Sequence, residues 1–508
     1  MTPEEPMQRC MAQLQEVSRG HSTEKKFFFR EGLNNNSSFE REEGEAMRRE
    51  QKTAKSGCRC EGMLETESNS GVQSVATLET AEKDGAENLL EQILHRDNLN
   101  EAYKRVVKNG GAPGIDGMTV VEMLPYLKEH KEELLKSLRG GWYKPKPVRR
   151  VQIPKPDGGT RNLGIPTVID RMIQQAIAQV LTPLFEEKFS DSSYGFRPGR
   201  SAHQAIKKTE EYYKQGYVKV VDIDLAQYFD TVNHDILIEQ VKKVIQDRAV
   251  INLIRKFLKS GVMFNGLVSA TTEGTPQGGN LSPLLSNLYL TAFDRMLEER
   301  GHKFVRYADD CNIYVKSQRA AERVMAGCKD YLEKKLKLKV NEAKSKAGSP
   351  LRLKFLGFSM YKVTKSIGIR PHAKAMNRFK GRLRQLTSRK QANSVSDILS
   401  KLKLYTTGWL GYYSIAAMSS KMKQWNEWLR RRIRQIFWKQ WKKPSARYEN
   451  LKRLGIDKSE ARKWANSRLG YWRVAGSWIL NRSLTNEYLA SIGYDDIAER
   501  YEVLHSSY

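Results

Sequence analysis

Cysteine is scarce and scattered. The five in 508 residues stand at positions 10, 58, 60, 311 and 328. They supply no disulfide framework, and Cys58-Arg59-Cys60 has no partner pair at zinc-ligand spacing, so they read as free thiols. Long apolar runs are missing too. None approaches the roughly 18 residues needed to span a bilayer, and Phe27-Phe28-Phe29 is far too short for a signal-peptide core. A transit peptide would be poor in acids, which this N-terminus is not. The chain is therefore expected to be cytoplasmic, with no membrane partner. Negative charge is in short supply beyond residue 88. The first 88 residues hold 12 Lys and Arg against 17 Asp and Glu, whereas the rest of the chain holds 75 against 41. An excess that large, within a net charge of +29, points to a polyanion, most simply nucleic acid, with an acidic membrane surface as the rival.

At this length the chain should hold several domains. Residues 1–88 are polar, rich in Glu and Ser, and carry few apolar residues at helical spacing. Such a segment cannot offset its ordering entropy, so it is expected to be a disordered or weakly helical extension, dispensable for activity. From Leu89 the pattern changes: Leu89, Leu90, Ile93 and Leu94 keep helical spacing. A Gly-rich turn follows at 110–117. Val148–Lys155 and Thr160–Ile165 flank Asp157-Gly158-Gly159 as a hairpin. Met172, Ile173, Ala176, Ile177, Val180, Leu181 and Leu184 form a helical core stripe. Past residue 370 long basic helices take over. Trp425, Trp428, Leu429, Ile433, Ile436, Phe437 and Trp441 keep helical spacing, which favours packing over base stacking for the tryptophans, while Arg430, Arg431 and Arg434 lie on other faces.

The acids carry the chemistry. Tyr307-Ala308-Asp309-Asp310 sits between Lys303–Arg306 and Cys311–Val315, two stretches of strand character. Adjacent Asp residues at a turn are unremarkable alone, because Asp is a good turn residue. Upstream, however, the strand Val218–Asp224 also ends in acid. Carboxylates delivered by two strands to one end of a sheet suit two Mg²⁺ ions, which sit roughly 3.5 to 4 Å apart and clamp an in-line phosphoryl displacement through hard oxygen ligands. That is polymerase chemistry.

These motifs, in this order from about Leu89 to near the C-terminus, resemble the group II intron-encoded reverse transcriptases with maturase activity. In that family the first metal-binding Asp is followed five residues later by an aromatic and six later by Asp. Asp224, Phe229 and Asp230 fit, so the resemblance assigns the role to Asp224 rather than Asp222, with Asp309 and Asp310 completing the metal set. Mg²⁺ is the implied cofactor and Mn²⁺ a possible substitute. The resemblance further implies that Lys155 and Arg161 clamp the triphosphate of an incoming dNTP, that Phe229 excludes a ribose 2′-hydroxyl, that Gln277 in Thr275-Pro276-Gln277-Gly278-Gly279 lies beside template and nucleotide, and that Lys344 serves near the leaving pyrophosphate as general acid. Ser193–Ser201 resembles the fingers-palm signature, with Arg197 and Arg200 implied for template phosphates. Phe355-Leu356-Gly357-Phe358 resembles the primer grip, and Gly408–Tyr413 the thumb or maturase domain. Arg430, Arg431 and Arg434 are expected to grip RNA.

The implied fold is α+β: a right-hand polymerase with N-terminal extension and fingers (89–217), a palm built on an antiparallel sheet (218–365), an α-helical thumb/maturase domain (366–440) and a small basic DNA-binding domain (441–508). The Cys-pair and His-rich nuclease module of some relatives has no counterpart here, as in the endonuclease-lacking bacterial class. The implied partners are group II intron RNA, an RNA template, and a DNA primer or target. Two alternatives stay open: a maturase acting only in splicing, and a reverse transcriptase domesticated for host defence or repair. The sequence is silent on oligomeric state.

Overall fold

The computed structural model describes residues 88–154, 159–264, 266–271, 273–275, 278–363 and 366–507. The extension expected over 1–88 lies outside them, apart from Asn88.

Two short helices, Leu89–Leu94 and Arg96–Asn109, pack against a longer one, Val168–Glu186. The long helix starts where the extended residue Thr167 accepts the Asp170 N–H on its hydroxyl, satisfying one of the donors left unpaired in a first turn. Met172, Ile173, Ala176, Ile177 and Leu181 are buried along one face, as their spacing predicts. The end of the stripe is different. Leu184 points outward and Phe185 is buried in its place, since each residue turns the helix by about 100° and the core lies on Phe185's side.

Among the described residues the strands, in chain order, are β1 (Val148–Pro154), β2 (Thr160–Ile165), β3 (Lys219–Ile223), β4 (Val262–Phe264), β5 (Leu267–Ser269), β6 (Lys303–Tyr307), β7 (Asp310–Val315), β8 (Lys346–Gly348), β9 (Phe358–Val363) and β10 (Ser366–Pro371). The expected hairpin forms from β1 and β2, closing with Pro154 opposite Thr160, and it belongs to a sheet of order β2-β1-β4-β5. A second sheet, of order β6-β7-β3-β8, is antiparallel throughout. β9 and β10 make a separate ribbon.

The second sheet is covered on both sides, which explains why its strands read as apolar runs rather than as strict alternation. Val221, Ile223, Phe304, Cys311 and Ile313 face one core, shared with the helices Val168–Glu186 and Ser282–Glu299. Val220, Val305 and Tyr314 face another, shared with the C-terminal helices. Those are Ala373–Leu386, Val395–Tyr413 and Ser419–Gln440. Their aromatics pack together: Phe379 stacks on Trp409 with ring centroids 3.9 Å apart, and Trp425 and Trp438 are buried. Beyond Gln440 the chain continues in shorter helices and folds back. Leu489, Ile497 and Tyr501 join the same core as Leu429 and Ile433. No helix among the described residues is long and apolar enough to cross a membrane.

Candidate active site

β3 and the β6–β7 hairpin bring the acids together. Ile223 pairs with Cys311, so continuing the register by one residue sets Asp224 opposite Asp310. Strand alternation puts Asp222, Asp224 and Asp310 on the face of Val220 and Tyr314. The backbone of Asp224 is fixed from both sides: its N–H donates to Ser345 Oγ at 3.1 Å, and its carbonyl accepts the Asn341 N–H at 2.8 Å. Tyr307 pairs with Asp310, leaving Ala308 and Asp309 as a two-residue turn. Ala308 has φ +57°, the positive φ that tight hairpin turns require to match strand twist.

Arg306 holds that turn from beneath. Although it is charged and lies between Val305 and Tyr307, its guanidinium is fully buried. Nε and Nη2 donate to the two carboxylate oxygens of Asp294 at 2.7 and 2.5 Å, while Nη1 donates to Asn287 Oδ1 at 3.0 Å and to the Ala308 carbonyl at 2.9 Å. Asn287 Nδ2 in turn donates to the Gly195 carbonyl at 2.7 Å. Gly195 is so close that an added Cβ would stand 2.4 Å from the Ala308 nitrogen. Sequence reasoning missed Arg306, Asp294 and Asn287. The available signal was a lone charge within Phe304-Val305-Arg306-Tyr307.

The acids raise one another's proton affinity. Burial holds the Asp309 carboxyl above its ordinary range, with Asp224 adding to the shift and Arg161 opposing it. Asp310 is raised by burial and by the charges of Asp309, Asp222 and Asp224. Asp222 is pushed up to about 6, by burial first and then by Asp224, against Lys354 and Lys346. Among the described residues no group of three or more His, Cys, Asp or Glu forms a ready-made metal cage. The donor set nevertheless fits Mg²⁺. It consists of hard carboxylate oxygens whose mutual repulsion a cation would relieve, and Mg²⁺ completes its shell with water and substrate phosphates rather than with protein alone.

Arg161 lies on β2, and its charge is felt by both Asp309 and Asp230. Phe229 sits in a short helix, Tyr228–Thr231, half-buried, with its carbonyl accepting the Thr275 N–H at 2.6 Å. Gly274, at φ +91°, and Gly278, at φ +122°, dock the following loop on neighbouring backbone. A Cβ would come within 2.9 Å of the Phe229 and Asp230 carbonyls at Gly274, and within 2.5 Å of the Gly164 carbonyl at Gly278. The loop therefore bridges the β1–β2 hairpin and the Phe229 turn. Lys344 Nζ stands 4.0 Å from Asp224 Oδ2. Lys155 and Gln277 lie outside the described residues.

The expected RNA-contacting arginines are placed differently. Arg197 is turned inward, its fork given to Glu186 at 2.7 Å and to the Ser190 and Ser193 carbonyls, which removes it from contact with template phosphates. Arg200 is half-buried against Asp191. Arg430 pairs with Asp496, Arg431 donates to the Trp472 carbonyl and lies over that ring at 4.2 Å, and Arg434 is buried against the Leu484 carbonyl and Asn486. Helical spacing marked these three as a separate face; the returning chain at 472–496 supplies partners to all three, burying Arg434 and leaving Arg430 and Arg431 part-exposed. Arg434→Ala is therefore expected to cost on the order of 2 kcal/mol of stability by stranding its partners. Thermal melting checks this, and a variant that melts like wild type while losing RNA affinity would restore Arg434 to the RNA-binding set.

Residues 153–360 match the family described as reverse transcriptase (RNA-dependent DNA polymerase), and residues 376–455 match the group II intron, maturase-specific domain. Protein YkfC of Escherichia coli (strain K12) is 36% identical over 298 residues, covering 51% of this chain and 78% of that protein. The group II intron-encoded protein LtrA of Lactococcus lactis subsp. cremoris is 36% identical over 241 residues, 46% of this chain and 40% of LtrA, so the chain spans less than half of that relative. A chain of the partial Cas6-RT-Cas1–Cas2 complex is 28% identical and covers 48% of this chain and 42% of that one, at a TM-score of 0.33, too low to carry an argument about the fold. With a reverse transcriptase domain followed by a helical maturase region, and with most of YkfC matched, this chain belongs to the group II intron reverse transcriptase/maturase family.

Proposed function

We propose that this reverse transcriptase copies RNA into DNA for a group II intron, binds that intron's RNA, and assists its splicing and its mobility by target-primed reverse transcription. The observation that carries the reading is the convergence of Asp224, Asp309 and Asp310 at one end of a sheet, within the charge field of Arg161, in a chain that continues into a maturase-specific domain. In this reading residues 89–217 are the fingers and their extension, 218–365 the palm, 366–440 the thumb and maturase domain, and 441–508 a DNA-binding domain. Asp224, Asp309 and Asp310 would hold two Mg²⁺ ions, which supply charge stabilisation to the attacking and leaving oxygens. Arg161, together with Lys155, binds the triphosphate. Lys344, beside Asp224, offers a proton to the departing pyrophosphate. Intron RNA is held by its shape, phosphates and 2′-hydroxyls.

The test is primer extension on an RNA template with Mg²⁺ and dNTPs, run beside a splicing assay on a group II intron RNA with and without protein. Extension without any effect on splicing would leave a polymerase alone, and splicing assistance without extension would leave a maturase alone.

Phe229 gives a sharper check on sugar choice. Its carbonyl accepts the Thr275 N–H and its ring packs edge-on to Tyr228 with centroids 5.2 Å apart, contacts that favour one position for the ring. Phe229→Val should raise kcat/KM for ribonucleotides relative to deoxyribonucleotides by roughly 10- to 100-fold, the range that steric pocket discrimination supplies. An unchanged ratio would place the gate elsewhere.

A further inference from the structure

His234 is buried, 5% exposed, at the first position of the helix His234–Lys242, and it takes no part in the chemistry described above. The helix gives it a firm base. Asn233 caps the first turn by accepting the Asp235 and Ile236 N–H groups on its side chain, as an N-cap residue does. Leu237, Ile238 and Val241 are buried along the same helix. From that base the imidazole reaches a point forty residues along the chain, with Nε2 standing 2.6 Å from the Gly274 carbonyl. A carbonyl only accepts, so Nε2 carries the hydrogen and donates it. Nδ1 is buried with no hydrogen-bond partner among the described residues. A buried nitrogen without a protein partner costs stability, and an apolar side chain would carry none. What the imidazole contributes at this position is the bond to Gly274.

That bond falls on a junction. Gly274 and Thr275 are buried and lie directly against the Phe229 turn. The Gly274 N–H donates to the Val232 carbonyl at 2.7 Å, the Thr275 N–H donates to the Phe229 carbonyl at 2.6 Å, and Asn233 pairs with Glu273 in an isolated antiparallel bridge. Gln277 follows two residues after Thr275, and Gly278 rests on Gly164 of β2. The stretch 273–275 therefore has the Phe229 turn at one end and the β1–β2 hairpin at the other. Gly274 is held on both sides, through its N–H by Val232 and through its carbonyl by His234. Without the imidazole the Gly274 carbonyl loses its tether. The adjoining bond from Thr275 then passes the slack to the Phe229 backbone, which aims the ring.

We propose that His234 is a positioning residue of the nucleotide pocket: it clamps Gly274, fixes the loop leading to Gln277 against the Phe229 turn, and so sets how strictly the pocket prefers a deoxyribose to a ribose. It touches neither nucleotide nor metal. A steric gate is sensitive to such support, because a misplacement of roughly 1 Å caused by a remote change is enough to cost about a hundredfold. This rests on the reading of the site as a dNTP pocket with Phe229 beside the sugar.

The test measures Kd for a dNTP and for the matching rNTP in the complex of the full chain with a dideoxy-terminated DNA primer on an RNA template, which binds nucleotide without extending. The proteins compared are wild type, His234→Leu, His234→Gln and Phe229→Val. The ratio of the two constants does not depend on the fraction of protein folded, so a general loss of stability leaves it unchanged. His234→Leu removes the donor at similar bulk and should cut the preference for the dNTP by roughly 10-fold, the lower end of what steric pocket discrimination supplies. His234→Gln, whose amide nitrogen reaches about as far as Nε2, should keep the wild-type preference. Should His234→Leu fail to fold, His234→Asn takes its place with the same expected loss, because its shorter amide stops short of Gly274. An unchanged ratio in the donor-less variant would overturn the proposal, and so would a His234→Gln protein as lax as His234→Leu. The two readings fail separately. If Phe229→Val shifts the ratio and His234→Leu does not, Phe229 stands and His234 falls. If His234→Leu shifts it and Phe229→Val does not, the loop discriminates without that ring, and the reading of Phe229 falls while His234 keeps its role. A wild-type protein with no preference between the two sugars would overturn both.

Discussion

Asp309→Asn is expected to abolish primer extension, by on the order of a thousandfold or more, while leaving affinity for primer–template nearly intact. Removing one carboxylate from a three-carboxylate set takes away several kcal/mol of charge stabilisation that only the reacting state uses, and each 1.36 kcal/mol is about tenfold in rate. Duplex binding draws instead on the basic surface and should be indifferent. Stability should move the other way. Burial and neighbouring acids hold Asp309 and Asp310 above the ordinary carboxylate range. The folded state therefore binds more protons than the unfolded one as pH rises past that range, and stability falls with rising pH over that interval. Substituting Asn removes one of the repelling charges. The variant should melt higher than wild type near pH 7, with a flatter dependence of Tm on pH above 4. Adding Mg²⁺ should raise the wild-type Tm by mass action and raise that of Asp309→Asn less. Equal extension by the two proteins would sink the assignment of Asp309. An Mg²⁺-induced rise in Tm equal in both would show that the ion binds elsewhere.

Much of this site could be read from the chain because local pattern decides it. The hairpin around Asp309 and Asp310 is written in its β-branched and aromatic flanks, and it forms in the structure with Tyr307 and Asp310 drawn into the strands as a pair. The strand leading to Asp224 is likewise local, and alternation places Asp222 and Asp224 on one face; that Asp310 shares it follows from the pairing of β3 with β7. What could not be read depends on how the chain folds back on itself around a side chain. Arg197 looks outward as a basic residue in a loop, yet Glu186, on the preceding helix, and two carbonyls draw it in. Arg434 looks like part of a solvated helix face until the chain returns fifty residues later to cover it. Periodicity reports which faces of a helix are alike but not what lies against the second one. The same holds for Arg306, whose partners Asp294 and Asn287 sit on the apolar helix Ser282–Glu299 and resemble ordinary interruptions of its pattern.

Arg306 supplies the other large effect, and here stability and positioning can be pulled apart. Both members of the Arg306–Asp294 pair are buried, with side chains 1% and 0% exposed. Arg306→Met should destabilise the fold by about 3 to 5 kcal/mol, because it leaves the Asp294 carboxylate buried without a counter-charge. Differential melting or denaturant unfolding reads that loss directly. Replacing both partners, as Arg306→Met with Asp294→Leu, should recover most of it, since well-packed apolar side chains commonly substitute for a buried pair at little cost. Activity should not recover with it. The double variant still lacks the donor to the Ala308 carbonyl and to Asn287 Oδ1, so the turn carrying Asp309 and Asp310 loses its tether. A displacement of about 1 Å at reacting groups costs roughly a hundredfold in rate. A folded double variant with wild-type kcat would reduce Arg306 to a stabilising ion pair. One that stays as unstable as Arg306→Met would locate the stabilisation in the Ala308 and Asn287 bonds instead. A stable double variant with low kcat and an unchanged KM for primer–template is the result that makes Arg306 a positioning residue of the polymerase site.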